Sequence, residues 1–123
     1  MPHLRLEYST NVKEDLHPEI LFPSCHRILV DTINADLSRC QSRAISRDLF
    51  YIGEGSSQEA FAYLEILLLE GRPLPKLQEM ANQLLEVLKK YFSRSLQELN
   101  MQIAVRFVEL PKSHYFKTES KIT

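Results

Sequence analysis

Residues 61–110 predict a strand, a helix and a second strand in one run: FAYLEILLLEGRPLPKLQEMANQLLEVLKKYFSRSLQELNMQIAVRFVEL. The segment Phe61–Leu69 is apolar on both faces except at Glu65, which is typical of a buried strand. A long apolar stripe at helical spacing follows, and its members are Leu77, Met80, Ala81, Leu84, Leu85, Leu88, Tyr91, Phe92, Leu96 and Leu99. Met101–Leu110 returns to strand character, so the run predicts a βαβ unit.

The first half of the chain repeats this order. His3–Ser9 alternates apolar and polar residues, which predicts a half-buried strand. Helical spacing follows over Pro18–Asn34, where Pro23 marks either the start of the helix or a kink in it. Gln41–Ile52 predicts a second strand, and the glycines and serines of 53–57 predict a turn after it.

The whole pattern predicts an α+β (α/β) fold built from two βαβ units. We expect one domain over residues 1–123, with units at about 2–52 and 61–110 and a tail at 111–123. Right-handed crossovers would place both helices on one face of a four-stranded sheet. The other face would then expose either Phe61, Tyr63, Leu67 and Leu69 or their neighbours Ala62, Leu64, Ile66 and Leu68. An apolar face of this size predicts packing against other copies in a closed oligomer.

Composition narrows the classes of function. The chain has 123 residues, of which 44% are hydrophobic and 25% charged, and its net charge is −1. This balance argues against intrinsic disorder, and the absence of a basic excess argues against a nucleic-acid partner. Neither a signal peptide nor a long apolar run is evident, and Cys25 and Cys40 are interpreted as reduced thiols. We therefore expect a cytoplasmic protein with no membrane partner.

Motifs for metal, phosphate or serine-nucleophile chemistry are absent from the sequence. The four histidines lack metal-ligand spacing, and no GxSxG or phosphate loop occurs. Pro2 is the remaining candidate, because removal of Met1 would leave its ring nitrogen as a free secondary amine. An α-amino group titrates near pH 8, and burial or nearby cations lower its pKa toward the range of a general base at neutral pH.

A reactive amino-terminal proline before two βαβ units resembles the tautomerase superfamily. Within it, the chain resembles the 5-carboxymethyl-2-hydroxymuconate isomerase family. The resemblance covers nearly the whole chain and is carried by Pro2-His3-Leu4, Leu6-Glu7-Tyr8-Ser9, Asn11, Ser42-Arg43, Gly71-Arg72, Glu109-Leu110 and Phe116-Lys117.

This resemblance implies an isomerase that moves a proton in a 2-hydroxydienoate during the breakdown of homoprotocatechuate, an aromatic compound. It implies no cofactor or metal and a homotrimer whose sheets face the centre. Pro2 would act as general base and then as general acid. Arg43 and Arg72 would bind the carboxylates of a small anionic substrate, as arginine does with two parallel hydrogen bonds.

Other residues that resemble the substrate-binding positions of the family are Gln41, Phe116 and Lys117. Gln41 stands where the family pattern has a further arginine, and its uncharged side chain leaves one cationic anchor missing. Arg39 is a candidate replacement. A tautomerase of a smaller α-keto acid, or a non-catalytic oligomeric binding protein on the same scaffold, therefore stays open as an alternative.

Overall fold

Four strands and three α-helices lie along residues 1–122, the part of the chain that the computed structural model describes. In chain order they are β1 (His3–Ser9), α1 (Pro18–Ile33), β2 (Gln41–Arg47), β3 (Glu59–Leu69), α2 (Leu74–Tyr91), α3 (Ser93–Glu98) and β4 (Asn100–Leu110). Single-turn 3-10 helices lie at Leu37–Arg39 and Lys112–His114. Over this same range, no helix combines the length and the apolar character needed to cross a membrane.

The strands form one mixed sheet in the order β2-β1-β3-β4. β1 pairs in parallel with β2, β3 pairs in parallel with β4, and the antiparallel pair β1–β3 joins the two halves. The predicted pair of βαβ units is thereby confirmed. In this register His3 lies between Gln41 and Leu67, so the start of β1 is beside the start of β2 and the end of β3.

Both main helices cover the same face of the sheet, as predicted. The alternation of β3 settles which of its two sets of side chains is covered, because Ala62, Leu64, Ile66 and Leu68 are buried beneath the helices. Their partners from β1, α1 and α2 include Leu4, Leu6, Leu21, Leu29, Leu77, Met80, Leu84 and Leu88. The apolar residues at every second position of the strand therefore pack in one core with those on the apolar faces of the helices.

The uncovered face of the sheet is less apolar than expected. Phe61, Tyr63, Leu67 and Leu69 are half-buried on it. A charged row crosses the middle, where Glu65 lies 3.0 Å from Arg106 and 3.7 Å from Arg5. The three side chains meet because their positions are cross-strand neighbours on one face.

The second strand is shorter than the sequence suggested. β2 ends at Arg47, five residues before the expected end at Ile52. Its neighbour β1 ends at Ser9, which pairs with Arg47, so the residues beyond have no ladder to join. Leu49 and Tyr51 are accordingly exposed rather than paired in the sheet.

The apolar stripe at 77–99 does not form one helix. α2 ends at Tyr91, and the chain turns at the buried Phe92 before α3 begins. The loop after β1 fixes this break, since the carboxylate of Glu14 accepts the backbone N–H of Ser95 at 3.0 Å and the Ser95 hydroxyl accepts the N–H of Lys13 at 2.8 Å. These contacts join residues about eighty positions apart in the sequence. Helical periodicity reflects only neighbours three or four residues apart, so it could not predict the break.

Candidate active site

Pro2 lies buried at the end of the sheet where β1 begins. Its carbonyl oxygen accepts the backbone N–H of Gln41 at 3.1 Å, which extends the β1–β2 ladder by one residue. A rigid ring that is buried and tied to the neighbouring strand holds its nitrogen in one place. This is the placement that a general base on a regular element requires.

Three cations act electrostatically on the amino terminus. Burial lowers the pKa of the Met1 amine most, and Lys117, Arg39 and Arg72 lower it further, while the Cys40 thiol opposes them. Each cation comes from a different part of the chain. Lys117 belongs to the tail, Arg39 to the 3-10 turn before β2, and Arg72 to the turn after β3.

Arg72 reaches this end of the sheet because the chain turns sharply at Gly71. Gly71 has a φ of +121°, a conformation that glycine adopts without a steric penalty. The Nε of Arg72 donates to the carbonyl of Ile33 at 3.1 Å, and a terminal nitrogen donates to Leu69 at 3.5 Å. Arg72 thus satisfies a free carbonyl at the end of α1 and keeps several N–H groups for an anion.

Arg43 lies on the uncovered face of the sheet and contacts His3. Its Nη2 is 2.8 Å from the Nδ1 of His3. Burial lowers the pKa of His3 most, and Arg43, the amino terminus and Lys117 lower it further. A neutral imidazole accepts a hydrogen bond from a guanidinium, so His3 orients Arg43. Arg43 therefore stands beside His3 rather than among the three cations that act on the amine.

Gln41 and Phe116 take different places from the cations. The backbone of Gln41 supports Pro2, whereas its side chain is exposed. Phe116 is 88% exposed and packs against little of its own chain. Of the candidate binding residues, Lys117 and Arg72 are the two whose charge lowers the pKa of the amine. The ring of Phe116 is exposed on the tail.

Two residues at this site, Arg39 and Glu119, were not among the substrate-binding residues expected from the sequence. Arg39, considered only as a replacement for the missing arginine, is one of the three cations. Glu119 pairs with Lys117 at 2.9 Å and with Arg39 at 3.8 Å. The position of Arg39 two residues before Gln41 was a usable signal, because the β1–β2 register brings that turn to Pro2. The resemblance included Phe116 and Lys117 of the tail among the substrate-binding positions, but no pattern in the sequence pointed to Glu119.

Two further features, a cavity and a buried thiol, are outside the group of residues that acts on the amine. A cavity of about 520 Å³ is lined by Pro18, Phe22, His26 and Ser42, on the side of α1 that faces β2. Burial raises the pKa of Cys25 to about 12, so its thiol stays protonated at neutral pH. Within residues 1–122, no three His, Cys, Asp or Glu side chains group closely enough to hold a metal ion.

Comparison with known proteins agrees with this arrangement. The model of the 5-carboxymethyl-2-hydroxymuconate isomerase family matches residues 2–121. A 5-carboxymethyl-2-hydroxymuconate Delta-isomerase of Escherichia coli is 25% identical over 117 residues, which cover 95% of this chain and 93% of that protein.

Solved structures share the fold. A 5-carboxymethyl-2-hydroxymuconate isomerase from Deinococcus radiodurans R1 superposes with a TM-score of 0.88 at 22% identity, over 97% of this chain and 90% of that one. A fused 4-OT described as a wild type symmetric trimer superposes with a TM-score of 0.70 at 16% identity, over 90% and 87% of the two chains.

Proposed function

Because the chain belongs to the 5-carboxymethyl-2-hydroxymuconate isomerase family, we propose that it moves a proton within a 2-hydroxydienoate acid, with the amine of Pro2 as base and then as acid. Membership makes it an isomerase of the tautomerase superfamily. The observation that carries the mechanism is the burial of Pro2 at the start of β1, where Lys117, Arg39 and Arg72 lower the pKa of the adjacent amine. Cations at this position lower the pKa of the amine and attract a carboxylate substrate.

The proposed reaction needs one base and no redox partner. After removal of Met1, the neutral nitrogen of Pro2 takes the proton of the substrate 2-hydroxyl, so the O–H bond breaks and an N–H bond forms. The electron pair of the broken O–H bond forms the 2-oxo group, and the double bonds of the substrate shift along its carbon skeleton. The prolinium then gives a proton to a carbon of the same dienolate, which restores the free amine. A single group that serves as base and acid works best with a pKa near the working pH.

The proposed substrate is a small acid bearing carboxylates. Arg72 and Lys117, which both lower the pKa of the amine, would bind one carboxylate, and Arg43, oriented by His3, would bind another that extends over the uncovered face. Arginine suits this task because its planar fork matches a carboxylate and also stabilises charge on the 2-oxygen. Such an acid would arise in the breakdown of aromatic compounds such as homoprotocatechuate.

We also infer that residues 1–123 form one domain, which assembles as a cytoplasmic homotrimer. Apolar side chains on the uncovered face of the sheet support assembly, because burying them against another copy removes apolar surface from water. These half-buried residues are Phe61, Tyr63, Leu67 and Leu69. The exposed Phe116 beside the cations supports completion of the site by a neighbouring copy. A closed symmetric oligomer would satisfy both features at once.

A second substrate class is favoured by one observation. The exposed side chain of Gln41 carries no charge at a position where a further arginine would bind another carboxylate. This favours a smaller α-keto acid over a tricarboxylate. Comparing turnover of monocarboxylates with that of di- and tricarboxylates distinguishes the two substrate classes.

The proposal is tested by the pH dependence of turnover, measured on a chain verified by mass to begin at Pro2. Only the neutral amine accepts a proton, and the burial and cations that lower the pKa of the Met1 amine should act in the same direction on the amine of Pro2. We therefore expect kcat/KM for a 2-hydroxydienoate to rise with pH and to level off below pH 8, the ordinary range of an α-amine. Lys117→Gln should move this rise to higher pH, because one cation is lost. No turnover at any pH would favour the non-catalytic binding protein.

Replacing Arg72 by lysine separates charge from the shape of the guanidinium. Arg72→Lys keeps the positive charge but loses the paired N–H groups, so KM for a carboxylate substrate should rise about tenfold or more, as for a lost charged hydrogen bond. Arg94→Lys is the matched control, since Arg94 pairs with Glu98 on α3 at the opposite end of the sheet. An unchanged KM in Arg72→Lys would remove Arg72 from the binding site.

A further inference from the structure

The carboxylate of Glu119 lies between two of the cations that act on the amino terminus. One oxygen is 2.9 Å from the Nζ of Lys117, and the other is 3.8 Å from a terminal nitrogen of Arg39. These cations hold the pKa of Glu119 below its usual value, the hydrogen bond from Lys117 being the larger cause. An anion from the tail thus already occupies the place where a substrate carboxylate would be attracted.

We propose that Glu119 is a specificity-determining residue, whose carboxylate competes with a second substrate carboxylate for Lys117 and Arg39. The inference rests on the proposed function, because that function identifies the amino terminus as the place where substrate binds. Its consequence is that a second substrate carboxylate adds less affinity than Lys117 and Arg39 would give it without Glu119.

The ion pairs within this cluster explain why the second carboxylate is the one opposed. Arg39 faces Glu119 and also Asp36, at 3.7 Å, so two anions already compensate its charge. The Asp36 carboxylate is fixed by the backbone N–H and the hydroxyl of Ser38, at 3.0 and 2.7 Å. Arg72 differs, because its hydrogen-bond partners are the uncharged carbonyls of Ile33 and Leu69.

A substrate therefore meets Arg72, which has no carboxylate partner among these contacts, and Lys117 and Arg39, which are both paired with Glu119. A first carboxylate binds Arg72 without displacing another anion. A second carboxylate must displace Glu119 from Lys117 and Arg39. Because 41% of the Glu119 side chain and 49% of the Arg39 side chain are exposed, water screens the pair. Exposed pairs of this kind are weak, so the competition should alter affinity only about twofold to fivefold.

The test measures binding of two simple acids to the chain that begins at Pro2. Glutarate carries two carboxylates and butyrate carries one, and calorimetry gives the dissociation constant of each. In Glu119→Gln we expect glutarate to bind about threefold to fivefold more tightly than in the unmodified chain, with a smaller change for butyrate. The gain should shrink as salt is raised from 10 mM to 1 M, since salt screens exposed charges.

Glu98→Gln is the matched control. It also removes one exposed carboxylate from an ion pair, with Arg94, but at the opposite end of the sheet. Equal gains in the two variants, an equal gain for both acids, or no gain for glutarate would overturn the proposal. Binding is measured without turnover, so a chain that fails to isomerise a 2-hydroxydienoate but shows the glutarate gain would contradict the proposed reaction alone.

Discussion

A chain that begins at Pro2 should isomerise a 2-hydroxydienoate about 10²–10⁴-fold faster than the same chain with Met1 attached, the range typical of a positioned general base. With Met1 present, the nitrogen of Pro2 is a tertiary amide, and its lone pair is delocalised and not basic. The fixed surroundings are the same in both chains, since the Gln41–Pro2 hydrogen bond and the cations belong to the folded chain. Both forms can be released from a cleavable fusion, verified by intact mass and compared by the ultraviolet absorbance of the dienol.

Pro2→Ala on a chain that begins at residue 2 is the control for the ring. It keeps a free amine, now primary and more mobile, so its rate should fall between those of the other two chains. Equal rates with and without Met1 would show that the base is another group, and the proposed role of Pro2 would then be wrong.

Phe92→Ala should lower the free energy of unfolding by about 3–5 kcal/mol, the cost of removing a fully buried aromatic ring. Phe92 has no exposed surface and lies at the turn between α2 and α3. Its ring centroid is 5.3 Å from that of Tyr91 and 6.4 Å from that of Tyr8, so the loss also removes two aromatic contacts. Denaturant unfolding at one fixed protein concentration measures the change, since assembly would make stability depend on concentration.

Leu49→Ala removes a large apolar side chain from an exposed position outside the proposed site. Leu49 is 93% exposed, so the free energy of unfolding should stay within about 0.5 kcal/mol of that of the unmodified chain, as for other surface substitutions. A similar loss in both variants would contradict the role of Phe92 as the packed centre of the helix break.

The strands and helices were largely predictable because their periodicity is local. His3–Ser9 has the predicted bounds, and the helix at Pro18 continues through Pro23 to Ile33. The errors arose where a partner distant in the sequence decides the outcome. β2 stops because β1 stops, and α3 begins where Glu14 accepts the N–H of Ser95. The residues of β2 and of the α2–α3 stretch do not by themselves indicate where β2 ends or where α3 begins.

The site shows the same division. Pro2 could be singled out because an amino-terminal proline is visible in the sequence, and Arg72 because the Gly71-Arg72 pair resembles the family pattern. The pairing of Glu119 with Lys117 and Arg39 could not be foreseen, because it depends on where the tail returns to the sheet.

Because β1 and β3 pair antiparallel, the two βαβ units run in opposite directions. The first residue of β1 and the first residue of β3 are therefore at opposite ends of the sheet. Only one of those ends is also a chain terminus. The counterpart of Pro2 before β3 is Gln58, whose nitrogen is an ordinary peptide group inside the chain. If the amine of Pro2 is the base, as proposed, the second unit has no equivalent group, and its contribution is the turn that brings Arg72 against the end of α1 in the first unit.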